Sequence, residues 1–430
     1  MRDFNEPEAK LDALLDTINS SARQAIAEYK KIGHGSPRAI RLLEGAYHQL
    51  SSILAPPQHA VMNFVFNYNW ACTNVALRAR IADVLDEQPE GLSVDKLAEA
   101  VNLDEIKTAR VLRAPTLMGC FKEVERDVFA NNRLSLILKS ENNTAWFARV
   151  LSRHVSKCAG VVYESMIEEE FSRSHEIDKS PRDFVFRKEG LKGKAWKILN
   201  STDDETRNEF HRGMFSLSEL HGASAVLYHY PWDDVSSVVD IGCSVGSFPT
   251  PLAKMFPHLR ITNQDLPEVI VQAKTPWEEN APEVLLDGRV EFIPINFLED
   301  VPAVGKDVYY LRNIIHNWPD VDATKIFHNI RKAMGPNSRV LIHDCVMVQT
   351  FQESGVATDE LTIAPEPMLP NFGAGSHRTY QMDLIMWFTL NSKERTLDEL
   401  KTIGATVSLI LTQVYDLVET MVVEFRIAEI

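Results

Sequence analysis

Hydrophobic positions recur at helical spacing over the first half of the chain and in short strand-like runs over the second. Residues 8–55 are helical in pattern and mostly polar; residues 60–85 are more apolar, with Val61, Phe64, Ala71, Val75, Ala76, Ile81, Val84 and Leu85. Such a helical layer buries its apolar stripe against another subunit or against the rest of its own chain, and the pattern leaves both open. Over residues 92–131 the pattern predicts a winged helix. Ser93 caps a helix carrying Leu97, Ala98 and Val101, and Asp104 caps a second carrying Ile106, Ala109, Val111, Leu112 and Leu117. Two small strands follow, Phe121–Val124 and Asp127–Ala130, and Pro115 must kink or end the second helix.

Residues 140–230 read as irregular and helical, rich in aromatics (Trp146, Phe147, Tyr163, Phe171, Phe184, Phe186, Trp196, Phe210, Phe215) that suit a plain core or the wall of a substrate pocket. From residue 237 strands alternate with helices. Val238–Ile241, Leu259–Thr262, Val290–Pro294, Val308–Leu311 and Val340–His343 are five candidate parallel strands. Between the last two lies an amphipathic helix with Ala323, Ile326, Phe327, Ile330 and Met334 on one face, opened by Pro319 and closed by Gly335. Val407–Leu411 and Met421–Phe425 add a hairpin-like end. Residues 348–378, with Gly355, Pro365, Pro367, Pro370, Gly373 and Gly375, lack periodicity; a loop this long is a lid or disordered. The expected fold class is α/β: a doubly wound, Rossmann-like domain over 231–430, mostly parallel with an antiparallel C-terminal strand. A helical and winged-helix region over 1–135 and a helical pocket region over 136–230 precede it.

Composition narrows the partners. With 430 residues, the chain holds two or three domains. A net charge of −15 and an acidic wing (Glu123, Glu125, Asp127) argue against nucleic acid, which needs a basic face. No apolar run approaches the length of a membrane span, and the first residues lack the apolar core of a signal peptide; the expected location is cytoplasmic. Cysteines 72, 120, 158, 243 and 345 are odd in number and scattered, which reads as reduced thiols with no metal-ligand spacing, so no metal is expected.

The chemistry begins at Val239-Asp240-Ile241-Gly242-Cys243-Ser244-Val245-Gly246. A strand delivers an acid and a glycine loop, as a doubly wound sheet does toward a nucleotide-like ligand. Asp265 follows after the next apolar run, where a ribose hydroxyl would be held. A dinucleotide fingerprint would need glycine at 244 and 247, and both are serine. The missing pyrophosphate turn points to a nucleoside without a diphosphate, such as S-adenosylmethionine.

From about residue 60 onward the chain resembles the class I S-adenosylmethionine-dependent O-methyltransferases of the plant caffeate and fungal secondary-metabolite type. Four blocks carry the resemblance: Asp240–Gly246; Asn263–Pro267; Tyr309–Asp320; and Asp383–Met386 with Lys393–Thr396. It implies a homodimer acting on a small molecule, without membrane or nucleic-acid partner. It also implies roles. Asp240, Gly242, Ser244 and Gly246 form the cofactor loop, with the glycines facing the methionyl part. Asp265 takes the ribose, Leu266 lies beside the adenine, and Asn296 and Phe297 stand where the family places an acid and an apolar residue against it. Arg312 lies near the cofactor. His316 occupies the general-base position, with Asp344 and Glu394 as flanking acids. His154, Met214, Asn313, Met382 and Met386 are the implied substrate-pocket positions.

A neutral phenol, pKa about 10, is a poor nucleophile at neutral pH. A histidine that takes its proton, oriented by a carboxylate, is the matching device. Glu394 also suits a helix-start acid before Thr396, and Asp344 an ordinary strand-end acid. Three positions depart from the family: Cys243 for a glycine, an early Pro249, and Asn296 for the adenine-reading acid. The reading is methyl transfer to a hydroxyl of an aromatic or polyketide-type metabolite. The rival is a pericyclase or dehydratase of the leporin-cyclase kind, in which Arg312, Asn313 and His154 polarise a carbonyl and His316 stands idle.

Overall fold

The computed structural model describes residues 8–188, 204–351 and 361–428. Trp196, Gly355, the opening residues and the side chain of Phe210 lie outside the described residues. The chain divides into two compact units: residues 1–55, 174–179 and 221–430, and residues 56–173 and 180–220.

The smaller unit realises the expected winged-helix elements. Strands β1 (Leu92–Ser93), β2 (Lys122–Glu125) and β3 (Val128–Ala130) form an antiparallel sheet in the order β1-β3-β2. The helices Val94–Val101 and Glu105–Leu117 bury Leu97 and Leu112 against Ile81, Leu85, Phe121 and Phe129. Asp104 caps the second helix by accepting from the Lys107 amide at 2.9 Å, and that helix ends two residues after Pro115. The acidic wing is internally paired: Arg113 reaches Glu123 at 2.7 Å and Asp127 at 2.6 Å. The helix Asn143–Val150 packs along Asp204–Leu220, where Gly213 lets the backbones approach, and continues through a π turn, Leu151–Val155.

The larger unit is a seven-stranded sheet of β4 (Ser237–Ile241), β5 (Arg260–Asp265), β6 (Val290–Pro294), β7 (Val308–Arg312), β8 (Arg339–Asp344), β9 (Leu409–Asp416) and β10 (Met421–Ile427). Their order is β6-β5-β4-β7-β8-β10-β9. The first five are parallel, and β10 runs antiparallel to both β8 and β9. All five expected parallel strands form, as does the antiparallel addition, because their apolar runs are covered on both faces. One face is packed by Ala323, Ile326, Phe327 and Ile330, the other by Trp232, Phe248 and Trp277. The order reverses between β4 and β7, so a crevice opens beyond their C-terminal ends.

Residues 8–55 group with this sheet rather than with the winged helix, unlike the sequence-based division at 135. The helix Pro37–Leu54 lies on the turn Gly373–Ser376, so part of the unpatterned 348–378 stretch serves as a platform. Arg41 donates to Ser376 Oγ at 2.6 Å and to the Val418 carbonyl at 2.9 Å. Gly45 and Gly375 permit contact that a side chain would block: a Cβ there would lie 2.2 Å from the Phe372 oxygen or 2.1 Å from the Arg41 oxygen.

Candidate active site

The loop after β4 turns on left-handed residues, with φ of 77° at Gly242, 50° at Ser244 and 90° at Gly246. A Cβ on Gly242 would stand 2.3 Å from Ile314 Cδ1, and one on Gly246 2.4 Å from Trp277 Nε1. The loop is anchored to the next strand. Gly242 donates its amide to the Gln264 carbonyl at 2.7 Å, and Ser244 donates to Asp265 Oδ2 at 2.9 Å. The Leu266 amide holds Asp265 Oδ1 at 2.8 Å. Burial raises the Asp265 carboxyl above its ordinary range, against these two donors. Asp240 is buried and pushed up to about 7 by desolvation, although Arg312 draws it back. Arg312 itself donates to Ser247 Oγ at 2.7 Å.

Asn296 uses its side chain locally. Its side-chain oxygen accepts from the Leu298 amide at 3.2 Å, closing an Asx turn. Phe297 packs edge-on to Trp318, with centroids 5.9 Å apart.

Beyond β7 the chain passes Asn313, whose φ is 53°, into the short turn Ile315–Asn317. This turn buries His316. Its Nδ1 bonds Glu394 Oε1 at 2.6 Å, and the two side chains expose 4% and 0% of their surface. Desolvation alone would lower the imidazole pKa, but the Glu394 and Asp344 carboxylates outweigh it and raise it to about 9. Asp344, at the end of β8, is raised to about 6 by burial, with His316 opposing. Glu394 is held from behind, its amide donating to Asp383 Oδ1 at 2.9 Å. Asp383 lies on the helix His377–Leu390, which packs on the His316 turn and buries Met382 and Met386. Asn313, Met382 and Met386 therefore share the larger unit with His316; His154 and Met214 belong to the smaller unit.

A relative, the 3-O-methyltransferase 2 of Phanerochaete chrysosporium, is 32% identical over 443 residues, covering 97% of this chain and 97% of that protein. The O-methyltransferase domain family matches residues 184–365. The chain belongs to the S-adenosylmethionine-dependent O-methyltransferases.

Solved structures place this O-methyltransferase in the same fold. The structure of the LepI complex with SAM superposes with a TM-score of 0.72 at 18% identity, covering 96% of this chain and 99% of that one. The O-methyltransferase NcsB1, bound to S-adenosylmethionine and 2-hydroxy-5-methyl naphthoic acid, superposes with a TM-score of 0.61 at 20% identity, covering 83% and 95%.

The residues present fit the cofactor. The glycines let the loop turn tightly against Ile314 and Trp277 where the sheet order reverses, and each Asp265 oxygen, holding one amide, retains a lone pair for a ribose diol. Among the described residues, no His, Cys, Asp and Glu group is arranged to hold a metal ion. None of the described helices is long and apolar enough to cross a membrane.

Two groups in the larger unit carry no sequence signal of their role comparable to that of the glycine loop. Arg395, 3% exposed, donates to the carbonyls of Ile315 and Trp318 at 2.8 and 2.7 Å and to Asp320 at 2.8 Å. Its place beside Glu394 and a second acid across the turn were the available signals. His221 is buried, with Nδ1 unpartnered among the described residues, and is lowered to about 4 by burial and by the charge at His316. Nothing in its local sequence marks it.

Proposed function

We propose that this O-methyltransferase methylates a phenolic hydroxyl of a small aromatic or polyketide-type secondary metabolite, with His316 as general base. The observation carrying the reading is the buried His316–Glu394 hydrogen bond of 2.6 Å. Glu394 accepts a hydrogen bond from the Nδ1–H, which fixes the tautomer and leaves Nε2 to accept the proton of the substrate hydroxyl. S-adenosylmethionine supplies an electrophilic methyl group on its sulfonium. The methyl–sulfur bond would break as the hydroxyl oxygen takes the methyl, releasing S-adenosylhomocysteine; His316 would accept the hydroxyl proton and Glu394 would stabilise the imidazolium. Asp344 adds a second negative field. Base removal of this kind contributes about 10²–10⁴-fold; alignment of oxygen and methyl supplies much of the rest. Asp265 positions the ribose, Leu266 and Phe297 flank the adenine, and Asp240, Gly242, Ser244, Gly246 and Arg312 complete the cofactor site.

The working form in this reading is a homodimer. The stretch 61–70 of the smaller unit leaves Val61, Phe64, Val65, Phe66, Tyr68 and Trp70 exposed, an apolar surface that a second copy would cover. A solution mass of one 48.6 kDa chain would contradict this.

The deciding experiment incubates the enzyme with methyl-labelled S-adenosylmethionine and a panel of phenols and hydroxypyridones, with mass spectrometry on both partners. A product heavier by one methyl, with equimolar S-adenosylhomocysteine, is expected. A substrate isomerised or dehydrated while the cofactor stays intact would overturn the reading.

A further inference from the structure

We propose that the smaller unit carries a binding site for an aromatic carboxylate, built on the unpaired guanidinium edge of Arg182 beside His154. Arg182 opens the helix Pro181–Lys188. Its Nε and Nη2 are buried and find no hydrogen-bond partner among the described residues. These two nitrogens form one edge of the guanidinium plane, with two parallel N–H bonds directed the same way. That edge matches the two oxygens of a carboxylate.

The unit pairs other arginines. Arg153 reaches Glu209 at 3.0 Å, Arg187 reaches Glu170 at 2.9 Å and Arg113 reaches Glu123 at 2.7 Å. Arg182 is different although a carboxylate follows it in sequence, because Asp183 is engaged by the hydroxyl and, at 3.2 Å, the amide of Ser180. A guanidinium cannot shed its proton to escape burial. Asp183 attracts the guanidinium without bonding this edge, so two buried N–H groups with no acceptor among the described residues are a standing cost that a bound anion removes.

The neighbourhood fits an anion. His154 sits on the π turn Leu151–Val155, a local irregularity frequent at functional sites. Burial, then Arg153, Lys157 and Arg182, lower its pKa to about 4, so the imidazole stays neutral in a positive field. The ring of Phe186 lies 5.9 Å from the Arg182 guanidinium and offers an apolar face for an aromatic ring. One two-donor edge beside a neutral imidazole suits a monoanionic carboxylate better than a dianionic phosphate.

The test titrates benzoate, with benzamide as neutral isostere, into the full-length protein and into Arg182→Met, following heat of binding and melting temperature. Benzoate should saturate and stabilise the wild type, benzamide should not, and Arg182→Met should bind benzoate at least about tenfold more weakly. Ligand-free Arg182→Met should melt no lower than wild type, since it loses two buried N–H groups that lack an acceptor among the described residues. Arg182→Lys, which keeps the charge without the fork, should also weaken benzoate and serves if the methionine variant fails to fold. Equal benzoate binding by wild type and either variant, equal binding of benzamide, or no saturable benzoate binding by the wild type would each overturn the proposal. S-adenosylmethionine affinity should be unchanged throughout, so the outcome is independent of the role of His316.

Discussion

Arg395 Nη1 donates to the Ile315 carbonyl at 2.8 Å, one residue before the histidine whose ring is held by Glu394, the residue before Arg395. Two consecutive residues thus grip the backbone and the side chain of the same turn. Arg395 also spans to Asp320 beyond the turn. Its buried guanidinium fixes where the imidazole stands without touching it. Arg395→Met should lower kcat by at least about tenfold, with little change in KM for S-adenosylmethionine, because misplacement of a base costs rate rather than cofactor binding. Arg395→Lys should recover only part. Equal losses in kcat and cofactor affinity would indicate general damage instead.

His316→Asn keeps a polar group of similar size but removes the base. Methyl transfer should fall by about 10²–10⁴-fold while the dissociation constant for S-adenosylmethionine holds. Isothermal titration beside a turnover assay checks both. Substantial residual turnover would refute the base assignment.

The raised His316 pKa, about 9, sets a pH dependence. Activity needs the neutral imidazole, so kcat/KM should climb with pH and level off above the histidine's pKa in the free enzyme. Glu394→Gln removes the charge that holds the proton, and the limb should move to lower pH while maximal rate drops. Stability runs the other way. The folded pKa is raised above the ordinary 6.5, so this pair's contribution is fully present below about 6.5 and is lost as pH rises through about 9. Chemical denaturation across that window should show the decline in the wild type and a flatter profile in Glu394→Gln.

Asp265→Asn keeps the shape of the side chain and its acceptor oxygen but exchanges the other acceptor for a donor. The Ser244 and Leu266 amides both point at this carboxylate, so one loses its partner and the loop loosens. Cofactor affinity should fall by about tenfold or more. An unchanged dissociation constant would exclude the ribose role.

Asn296→Asp restores the acid common in the family. The Asn296 oxygen already accepts from Leu298, a bond a carboxylate can also make. Cofactor affinity should hold or rise. A marked loss, measured by titration, would show that the adenine lies elsewhere.

The sheet was legible because apolar runs between helical periods admit little else, and the parallel strands begin and end within three residues of where the pattern put them. The glycine loop was legible because a backbone that must turn at positive φ leaves glycine in the sequence. His316 and Glu394 were legible through resemblance, not through spacing, since 78 residues separate them. Arg395 and His221 were not, because a buried polar group is chosen by partners that only the fold brings near. The placement of residues 8–55 was hidden for the same reason. Helical periodicity states that a face must be covered, not what covers it.

Gly45 and Gly375 have a consequence for any attempt to divide this enzyme. Leu14 and Ala46 share one apolar cluster with Ala364, Met368 and Phe372. A fragment beginning at 221 would therefore carry an uncovered oily patch, however complete its sheet. The compact unit that carries the sheet is discontinuous, assembled from residues 1–55, 174–179 and 221–430. A fusion or truncation designed on the linear order of the chain should yield aggregates, whereas supplying the first segment in trans should restore solubility.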